Sequence, residues 1–246
     1  MFSLFKKSAN KNLDLSELRT DMHSHLLPGI DDGAKNIDDS VTLINGLKEL
    51  GYSKLVTTPH IMSDVYPNDT ESILGALNGL RIDLRDRVSG IELNAAGEYF
   101  LDDYFDRVLS KGYPLLTVTE NMVLVEFSFV SAPIDVTNRF FEMQIKGYQP
   151  ILAHPERYLY FARNKAQFQE FKSAGCLLQV NLLSLTGYYG KTALEIATYL
   201  VDNQLIDMLG TDMHHQRHLD TLRRAGSISG TIKKLLDSGK IINPQI

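Results

Sequence analysis

The sequence predicts a single α/β domain in which parallel strands form a barrel. Short apolar runs alternate with amphipathic helical patterns about seven times, which is typical of βα units and a parallel sheet. The chain has 246 residues, 43% of them hydrophobic, and this is enough for one core of α/β-barrel size. Neither a linker nor a repeat of fixed period interrupts the alternation. We therefore expect residues 20–246 to form the domain and residues 1–19 to be a leader with a short helical piece.

The strands are predicted from short apolar or β-branched runs that end in Pro, Gly or a polar residue. The first run begins at Thr20 and leads into Asp21-Met22-His23-Ser24-His25, after which Pro28-Gly29 and Asp31-Asp32-Gly33 predict a loop. The later strands are expected at 54–58, 91–96, 122–125, 150–153, 176–180 and 206–209.

The helices are predicted from apolar residues at helical spacing between these strands. The first has Asn36 as its expected N-cap, an apolar face that includes Ile44 and Leu47, and Gly51 as its end. The others are expected at 69–88, 101–109, 134–146, 165–174 and 192–202, with one or two closing helices in 219–237.

Charge and composition exclude several classes of partner. The net charge is −5 and no Lys/Arg run occurs, so we expect no nucleic-acid partner. No apolar run approaches the roughly 20 residues that span a bilayer, so we expect no transmembrane segment. The single cysteine, Cys176, excludes an intramolecular disulfide and indicates a reducing compartment, hence a cytoplasmic protein.

Metal-capable side chains lie at the ends of most predicted strands. His23 and His25, spaced i, i+2 in an extended run, project from the same face and form half of a metal site. The remaining groups lie at or just after later strand ends: His60, Glu98, Glu126, His154, Asp212 and His214.

The joint pattern of these side chains predicts a metal cluster. Strand ends in a βα barrel meet at one mouth, so the eight groups should converge there. Any one of them alone would more often be a hydrogen-bonded loop group, but burying so many ionisable groups without a cation would cost several kcal/mol each. His215 and His218 are expected to face solvent, although His215 could reach a substrate.

Six short motifs occur in order within residues 20–246. They are Asp31-Asp32-Gly33, Thr58-Pro59-His60, Gly97-Glu98-Tyr99-Phe100, Glu126-Phe127-Ser128, Ala153-His154-Pro155-Glu156-Arg157-Tyr158 and Asp212-Met213-His214. As an ordered set they resemble the motifs of the polymerase-and-histidinol-phosphatase (PHP) superfamily, and within it the metal-dependent protein-tyrosine phosphatases of bacterial capsule and exopolysaccharide loci. The resemblance implies a distorted (β/α)7 TIM-like barrel as a single domain.

The resemblance also implies three divalent metal ions, with Mn expected and Fe or Zn as alternatives. In the implied assignment Glu98 bridges the first and second ions, and Asp31 is an alternative to Asp32 because spacing does not separate neighbours. The implied ligands are His23, His25, Glu98 and Asp212 for the first ion, Glu98, Glu126 and His154 for the second, and Asp32, His60 and His214 for the third.

Two arginines that follow ligands are implied to bind the phosphate. Arg157 comes three residues after His154, and Arg217 three residues after His214. The planar guanidinium binds two phosphoryl oxygens at once, although a structural salt bridge is the alternative for each arginine. The implied reaction is hydrolysis of a phosphate ester by in-line attack of a metal-bound hydroxide, without a phosphoenzyme.

The resemblance implies a tyrosine-phosphorylated protein as substrate, namely a bacterial tyrosine kinase of polysaccharide export. A small-molecule phosphatase, such as one acting on histidinol phosphate, and a non-catalytic metal-stabilised interaction module are the alternatives. Cysteine-based catalysis is excluded, because Cys176 lies in an apolar run with no arginine six residues on. Glu156 and Tyr158 are expected either to contact the ligands or substrate or to support the core.

Overall fold

Nine short strands and eight α-helices lie along residues 13–246, which are the residues that the computed structural model describes. All pairings between the strands are parallel, so the predicted α/β class is confirmed. The strands are β1 (Thr20–Asp21), β2 (Lys54–Thr57), β3 (His60–Ile61), β4 (Glu92–Ala95), β5 (Glu98–Phe100), β6 (Met122–Glu126), β7 (Gln149–Ala153), β8 (Leu177–Asn181) and β9 (Met208–Gly210).

These strands occupy seven positions, because β2 with β3 and β4 with β5 are each one interrupted strand. One sheet has the order β1-β2-β4 and the other the order β3-β5-β6-β7-β8-β9. Pro59 lacks the N–H that a ladder needs, and Thr58 instead donates its N–H to the carbonyl of Ser24 at 2.6 Å. The order of the seven positions is that of the expected distorted (β/α)7 barrel.

The first and last positions of this order are joined at the end where the histidines lie. Ser24 and Met213 form a parallel bridge beyond β1 and β9. His25 donates its backbone N–H to the Met213 carbonyl at 2.8 Å, and Asp212 donates to the His23 carbonyl at 2.8 Å. We call these contacts the seam.

The helices follow the predicted pattern with shifted ends. The Asn36 side chain accepts a hydrogen bond from the Asp39 N–H and caps the first helix, as predicted. The second helix ends four residues before the predicted end at 88, and the closing segment forms two helices. The helices are α1 (Ile37–Glu49), α2 (Thr70–Leu84), α3 (Asp103–Lys111), α4 (Val136–Ile145), α5 (Gln167–Ser173), α6 (Lys191–Asp202), α7 (Gln216–Arg223) and α8 (Ser229–Asp237).

Alternate strand residues pack into two different apolar clusters. On β6, Val123 and Val125 belong to the large cluster that includes the helices, whereas Leu124 belongs to a smaller cluster with Met22, Val56, Ile151 and Met208. Because strand side chains alternate between faces, the smaller cluster fills the interior that the strands enclose. The polar groups at the strand ends lie beyond this filled interior.

The segment before β1 lies only partly within the described range. Residues 1–12 of the predicted leader lie outside it. Leu13, Leu15 and Leu18 are buried, and Leu15 donates its N–H to the Leu50 carbonyl at 2.7 Å. Within residues 13–246, no helix combines the length and the apolar character needed to cross a membrane.

Candidate metal centre

Six of the seven strand positions within residues 13–246 bring a predicted ligand to the same end of the barrel. His60 begins β3, Glu98 begins β5 and Glu126 ends β6, while His154 directly follows β7. The remaining predicted ligands follow β1 or β9: His23, His25 and Asp32, and Asp212 and His214. The exception is the position of β8, which ends at Asn181.

Glu98 lies at the centre of the group and is fully buried. Its Oε2 is 3.2 Å from His23 Nε2, 3.3 Å from His25 Nε2 and 3.2 Å from His60 Nδ1. Its Oε1 is 3.1 Å from His154 Nε2. A carboxylate whose two oxygens face different imidazoles is suited to bridge two cations.

Asp212 is a second carboxylate that lies close to several imidazoles. Its Oδ1 is 3.4 Å from His23 Nε2, 3.5 Å from His25 Nε2 and 3.3 Å from His214 Nδ1. Asp212 has φ +51° and His154 has φ +32°, conformations that cost non-glycine residues free energy. Such strain persists where the surrounding structure holds it, and it clusters at functional sites.

Glu126 contacts a different histidine from the one that the resemblance implies. Its Oε1 is 2.9 Å from His60 Nδ1, and His60, Glu98 and Glu126 form one close group of potential ligands. His154, which the resemblance pairs with Glu126, forms a close group with His23 and Asp212. The described residues therefore offer overlapping groups, and the shared members are His23, His25, His60 and Glu98.

Asp31 and Asp32 have different environments. The Asp31 side chain is buried, and its Oδ2 is 2.7 Å from His25 Nδ1, where it orients the ring. The Asp32 side chain is 52% exposed, and its Oδ1 is 3.4 Å from the Nε2 atoms of both His60 and His214. This geometry favours Asp32 over Asp31 as a potential metal ligand. Asp31 instead holds the ring of His25 in place.

The charges in the cluster compensate one another. Burial alone would raise the pKa of Glu98, but His23 and His60 hold it well below its usual range. Burial would lower the pKa of His25, but the Asp31 carboxylate and further acidic partners raise it well above its usual value. For His154, burial and the nearby Arg157 lower the pKa to about 4, so its ring is neutral, the form that binds metals.

Unpartnered buried atoms indicate that a cation fits this donor set. Among the buried side-chain atoms of residues 13–246, Glu98 Oε2, Glu126 Oε1 and His60 Nδ1 have no hydrogen bond of acceptable geometry. Yet His60 Nδ1 lies 3.2 Å from Glu98 Oε2 and 2.9 Å from Glu126 Oε1. Divalent cations bound among these residues would satisfy such atoms, and mixed imidazole and carboxylate donors suit Mn, Fe or Zn.

The two predicted phosphate-binding arginines are placed differently. Arg157 Nη1 donates to Asp212 Oδ2 at 2.7 Å. Its guanidinium carbon lies 4.7 Å from the ring centre of Phe129 and 4.4 Å from that of Tyr189, so two rings hold it at the edge of the cluster. Arg217 is exposed on α7, with its guanidinium carbon 5.6 Å from the Tyr188 ring centre.

Sequence reasoning missed the polar residues of β8. Gln179 Oε1 lies 2.8 Å from His23 Nδ1, and Asn181 donates to Asp212 Oδ2 at 2.7 Å. Both side chains are fully buried. The signal was the alternation of Gln and Asn within an otherwise apolar strand, which places both on the face towards the site.

The expectation for His218 was wrong. His218 is buried rather than solvent-facing, because it lies on the inner side of α7 with Nδ1 3.2 Å from the Asp212 carbonyl. His215 is exposed, as expected, and its side chain accepts the His218 N–H as the N-cap of α7.

The remaining candidates support the fold around the site. Cys176 is buried, and burial raises the pKa of its thiol, which opposes formation of a thiolate. The Tyr158 hydroxyl is buried and accepts the Phe127 N–H at 2.9 Å. Glu156 accepts hydrogen bonds from the Asn181 N–H at 3.0 Å and from the Ser184 hydroxyl at 2.6 Å.

Comparisons with known proteins agree with this geometry. A family model described as "Capsular polysaccharide synthesis, CpsB/CapC" matches residues 19–235. The putative tyrosine-protein phosphatase CapC of Staphylococcus aureus is 29% identical over 195 residues, which are 79% of this chain and 76% of that protein. The tyrosine-protein phosphatase YwqE of Bacillus subtilis (strain 168) is 28% identical, over 79% of this chain and 77% of that protein.

Solved structures are similar as well. One matching structure has a TM-score of 0.78 and 26% sequence identity to this chain. It comes from a study described as crystal structures of YwqE from Bacillus subtilis and CpsB from Streptococcus pneumoniae, "unique metal-dependent tyrosine phosphatases". The match covers 92% of this chain and 90% of the matched chain. An amidohydrolase from Mycoplasma synoviae, with a TM-score of 0.52 and 16% identity, shares the fold alone.

Proposed function

Because the chain belongs to the CpsB/CapC family of capsular polysaccharide synthesis, we propose that it is a metal-dependent protein-tyrosine phosphatase. The observation that carries the proposal is the position of buried Glu98, whose two oxygens lie 3.1–3.3 Å from four imidazoles at the strand ends. The relatives YwqE and CpsB are described as metal-dependent tyrosine phosphatases.

The proposed centre holds three divalent ions, with Mn as the expected metal. In this assignment Glu98 would be a ligand of both the first and the second ion, and its central position supports that role. The proposed ligands are His23, His25, Glu98 and Asp212 for the first ion, Glu98, Glu126 and His154 for the second, and Asp32, His60 and His214 for the third. The close group of His25, Asp32, His60 and His214 supports the third set.

When bound at this position, divalent cations would lower the pKa of water and neutralise phosphoryl oxygens. The protein orients the phosphate with Arg157, whose guanidinium is held between the Phe129 and Tyr189 rings and therefore loses little freedom on binding. Arg217, on the first turn of α7, is proposed as a second phosphate contact. The strained backbone at His154 and Asp212 keeps both side chains directed at the centre.

Aromatic rings beside the centre support an aryl phosphate as substrate. The Tyr66 ring stacks on His60 with ring centres 5.4 Å apart, and the Phe129 ring stacks on His154 at 5.5 Å. Phe129 is 49% exposed, so a ring entering from solvent could contact it. We propose a tyrosine-phosphorylated protein as substrate, namely a tyrosine kinase of polysaccharide export, and a cytoplasmic location for the reaction.

The test uses the full chain, stripped with a chelator and then supplied with Mn²⁺. We expect Mn²⁺ to restore hydrolysis of a phosphotyrosine peptide, with much lower activity on a matched phosphoserine peptide and on histidinol phosphate. Preference for histidinol phosphate would instead identify a small-molecule phosphatase. Metal binding with no turnover of any of the three would identify a non-catalytic module.

Arg157→Ala should lower kcat/KM for the phosphotyrosine peptide by about 10- to 100-fold, mainly through a higher KM. A hydrogen bond to a charged group is worth about 1.5–3 kcal/mol, and the variant loses such bonds to the phosphate. Metal content, measured by elemental analysis, should stay at the wild-type level. The matched control is Arg223→Ala, which removes a partly exposed arginine of α7 that pairs with Glu49 of α1. Loss of metal from Arg157→Ala would make Arg157 a structural partner of Asp212 instead.

A further inference from the structure

β8 contributes two buried amides to the centre in place of a ligand. Gln179 and Asn181 are fully buried and lie on the same face of the strand. Gln179 Nε2 donates to Asn181 Oδ1 at 3.0 Å, which links the two side chains. At its two ends the pair contacts His23 Nδ1 at 2.8 Å and Asp212 Oδ2 at 2.7 Å. We call Gln179 and Asn181 the amide pair.

The donor and acceptor roles along the amide pair are fixed from one end. The Asp212 carboxylate can only accept, so Asn181 presents its NH₂ to it and its oxygen to Gln179. Gln179 must then donate through its NH₂ and present its oxygen to His23. Because this oxygen only accepts, His23 carries its proton on Nδ1 and leaves Nε2 directed at Glu98 and Asp212.

Resting on the proposed function, we propose that Gln179 and Asn181 are positioning residues for the metal centre. Gln179 selects the Nδ1–H tautomer of His23, so that Nε2 is the ligating nitrogen. Asn181 holds Asp212 Oδ2, so that Oδ1 faces His23, His25 and His214. The hydrogen bonds of the amide pair thus orient His23 Nε2 and Asp212 Oδ1 for metal binding. These two atoms belong to residues on opposite sides of the seam.

The surroundings of the amide pair keep it in this orientation. At Gly210 a Cβ atom would lie 2.7 Å from Gln179 Nε2 and 2.8 Å from His23 Cβ, so only glycine leaves room for both side chains. The His154 N–H approaches Gln179 Oε1 at 3.4 Å and opposes a flip of that amide. Buried Glu156 accepts the Asn181 N–H at 3.0 Å and anchors the end of β8.

The first test measures metal affinity without turnover. Gln179→Met keeps the approximate volume of the side chain but removes the acceptor for His23, and we expect Mn²⁺ or Zn²⁺ affinity to fall by about 10- to 100-fold. Gln179→Glu keeps an acceptor for His23 Nδ1–H, and we expect it to lose clearly less affinity than Gln179→Met. The control is Gln149→Met at the opposite end of neighbouring β7, which should bind metal like the wild type. Thermal unfolding shows that each variant folds.

The second test asks whether the two amides act as one unit. The cycle compares Gln179→Met, Asn181→Leu and the double variant. The metal dissociation constant of the double variant should lie within about twofold of that of the single variant that binds metal more weakly. In addition, ¹⁵N NMR of the Zn²⁺-loaded protein should show His23 protonated at Nδ1, and this signal should change in Gln179→Met.

Equal affinities of Gln179→Met and Gln179→Glu would overturn the proposal, because side-chain packing would then explain any loss. Wild-type affinity in both Gln179→Met and Asn181→Leu would also overturn it. Fully additive losses in the cycle would show two independent contacts and would contradict the linked pair. These outcomes differ from failure of the proposed function, in which the wild-type protein binds metal but does not hydrolyse phosphotyrosine.

Discussion

Glu98→Gln is expected to abolish detectable turnover of a phosphotyrosine peptide, with a loss of at least about 10³-fold, and to lower metal content. Removing one charge from a buried ionic network costs about 3–5 kcal/mol. Here the Glu98 carboxylate faces four imidazoles, and an amide NH₂ in place of one oxygen cannot bind a cation. The substitution keeps the shape of the side chain, so the effect reports on charge and ligation.

The measurement is elemental analysis together with steady-state kinetics on protein purified without added metal. Glu92→Gln is the control, because Glu92 lies on β4 just before the site and pairs with Lys54 at 3.2 Å. It should retain metal and activity. Near-wild-type metal content and turnover in Glu98→Gln would contradict the bridging role and, with it, the proposed centre.

Removing the metals is expected to lower the unfolding temperature by about 5–10 °C for each site that is saturated to 100 times its dissociation constant. A ligand at that concentration stabilises the folded state by about 2.7 kcal/mol, and 1 kcal/mol shifts the Tm of a chain this long by about 2–4 °C. The Tm difference between the loaded and the stripped protein should also depend on pH.

The sign of the pH dependence follows from the histidines. Burial would lower the pKa of His60, but Glu98 and Glu126 raise it well above its usual value, and Asp31 does the same for His25. In the stripped protein the stabilisation from these raised pKa values is present at low pH and is lost as pH rises through them. Metals compete with the same protons. The Tm difference should therefore be larger at a pH above these raised pKa values than near pH 6.5, the ordinary pKa of histidine.

Differential scanning calorimetry with and without chelator checks this expectation. In Glu98→Gln the chelator should change the Tm much less than in the wild-type protein. An unchanged wild-type Tm on chelation at both pH values would mean that no cation contributes to the stability of this cluster.

The strands and the gathering of potential ligands were predictable because both depend on local signals. Apolar runs identified the strands, and His or acidic residues at their ends needed only the rule that parallel strands share one mouth. The strand ends before Pro59-His60 and Gly97-Glu98 were predicted, but the continuation as β3 and β5 was not, since it follows from the path of the neighbouring strands.

Contacts that depend on tertiary packing were missed. The orientation of His218 depends on where α7 begins, and the helix starts at Gln216 rather than near the predicted 219. The contact of Glu126 with His60 and the role of β8 depend on side-chain directions across several strands. The alternation of Gln179 and Asn181 places both on one face of β8, but no periodicity within one segment identifies the residues that they contact on other strands.

The seam has a consequence for motion in the protein. Its hydrogen bonds join the backbone of His23 and His25 to that of Asp212 and Met213, residues nearly the whole chain apart in sequence. Transient opening of the barrel at the seam would separate the imidazoles of His23 and His25 from the carboxylate of Asp212. Bound cations would therefore resist this opening and would hold the first and the last strand of the barrel together.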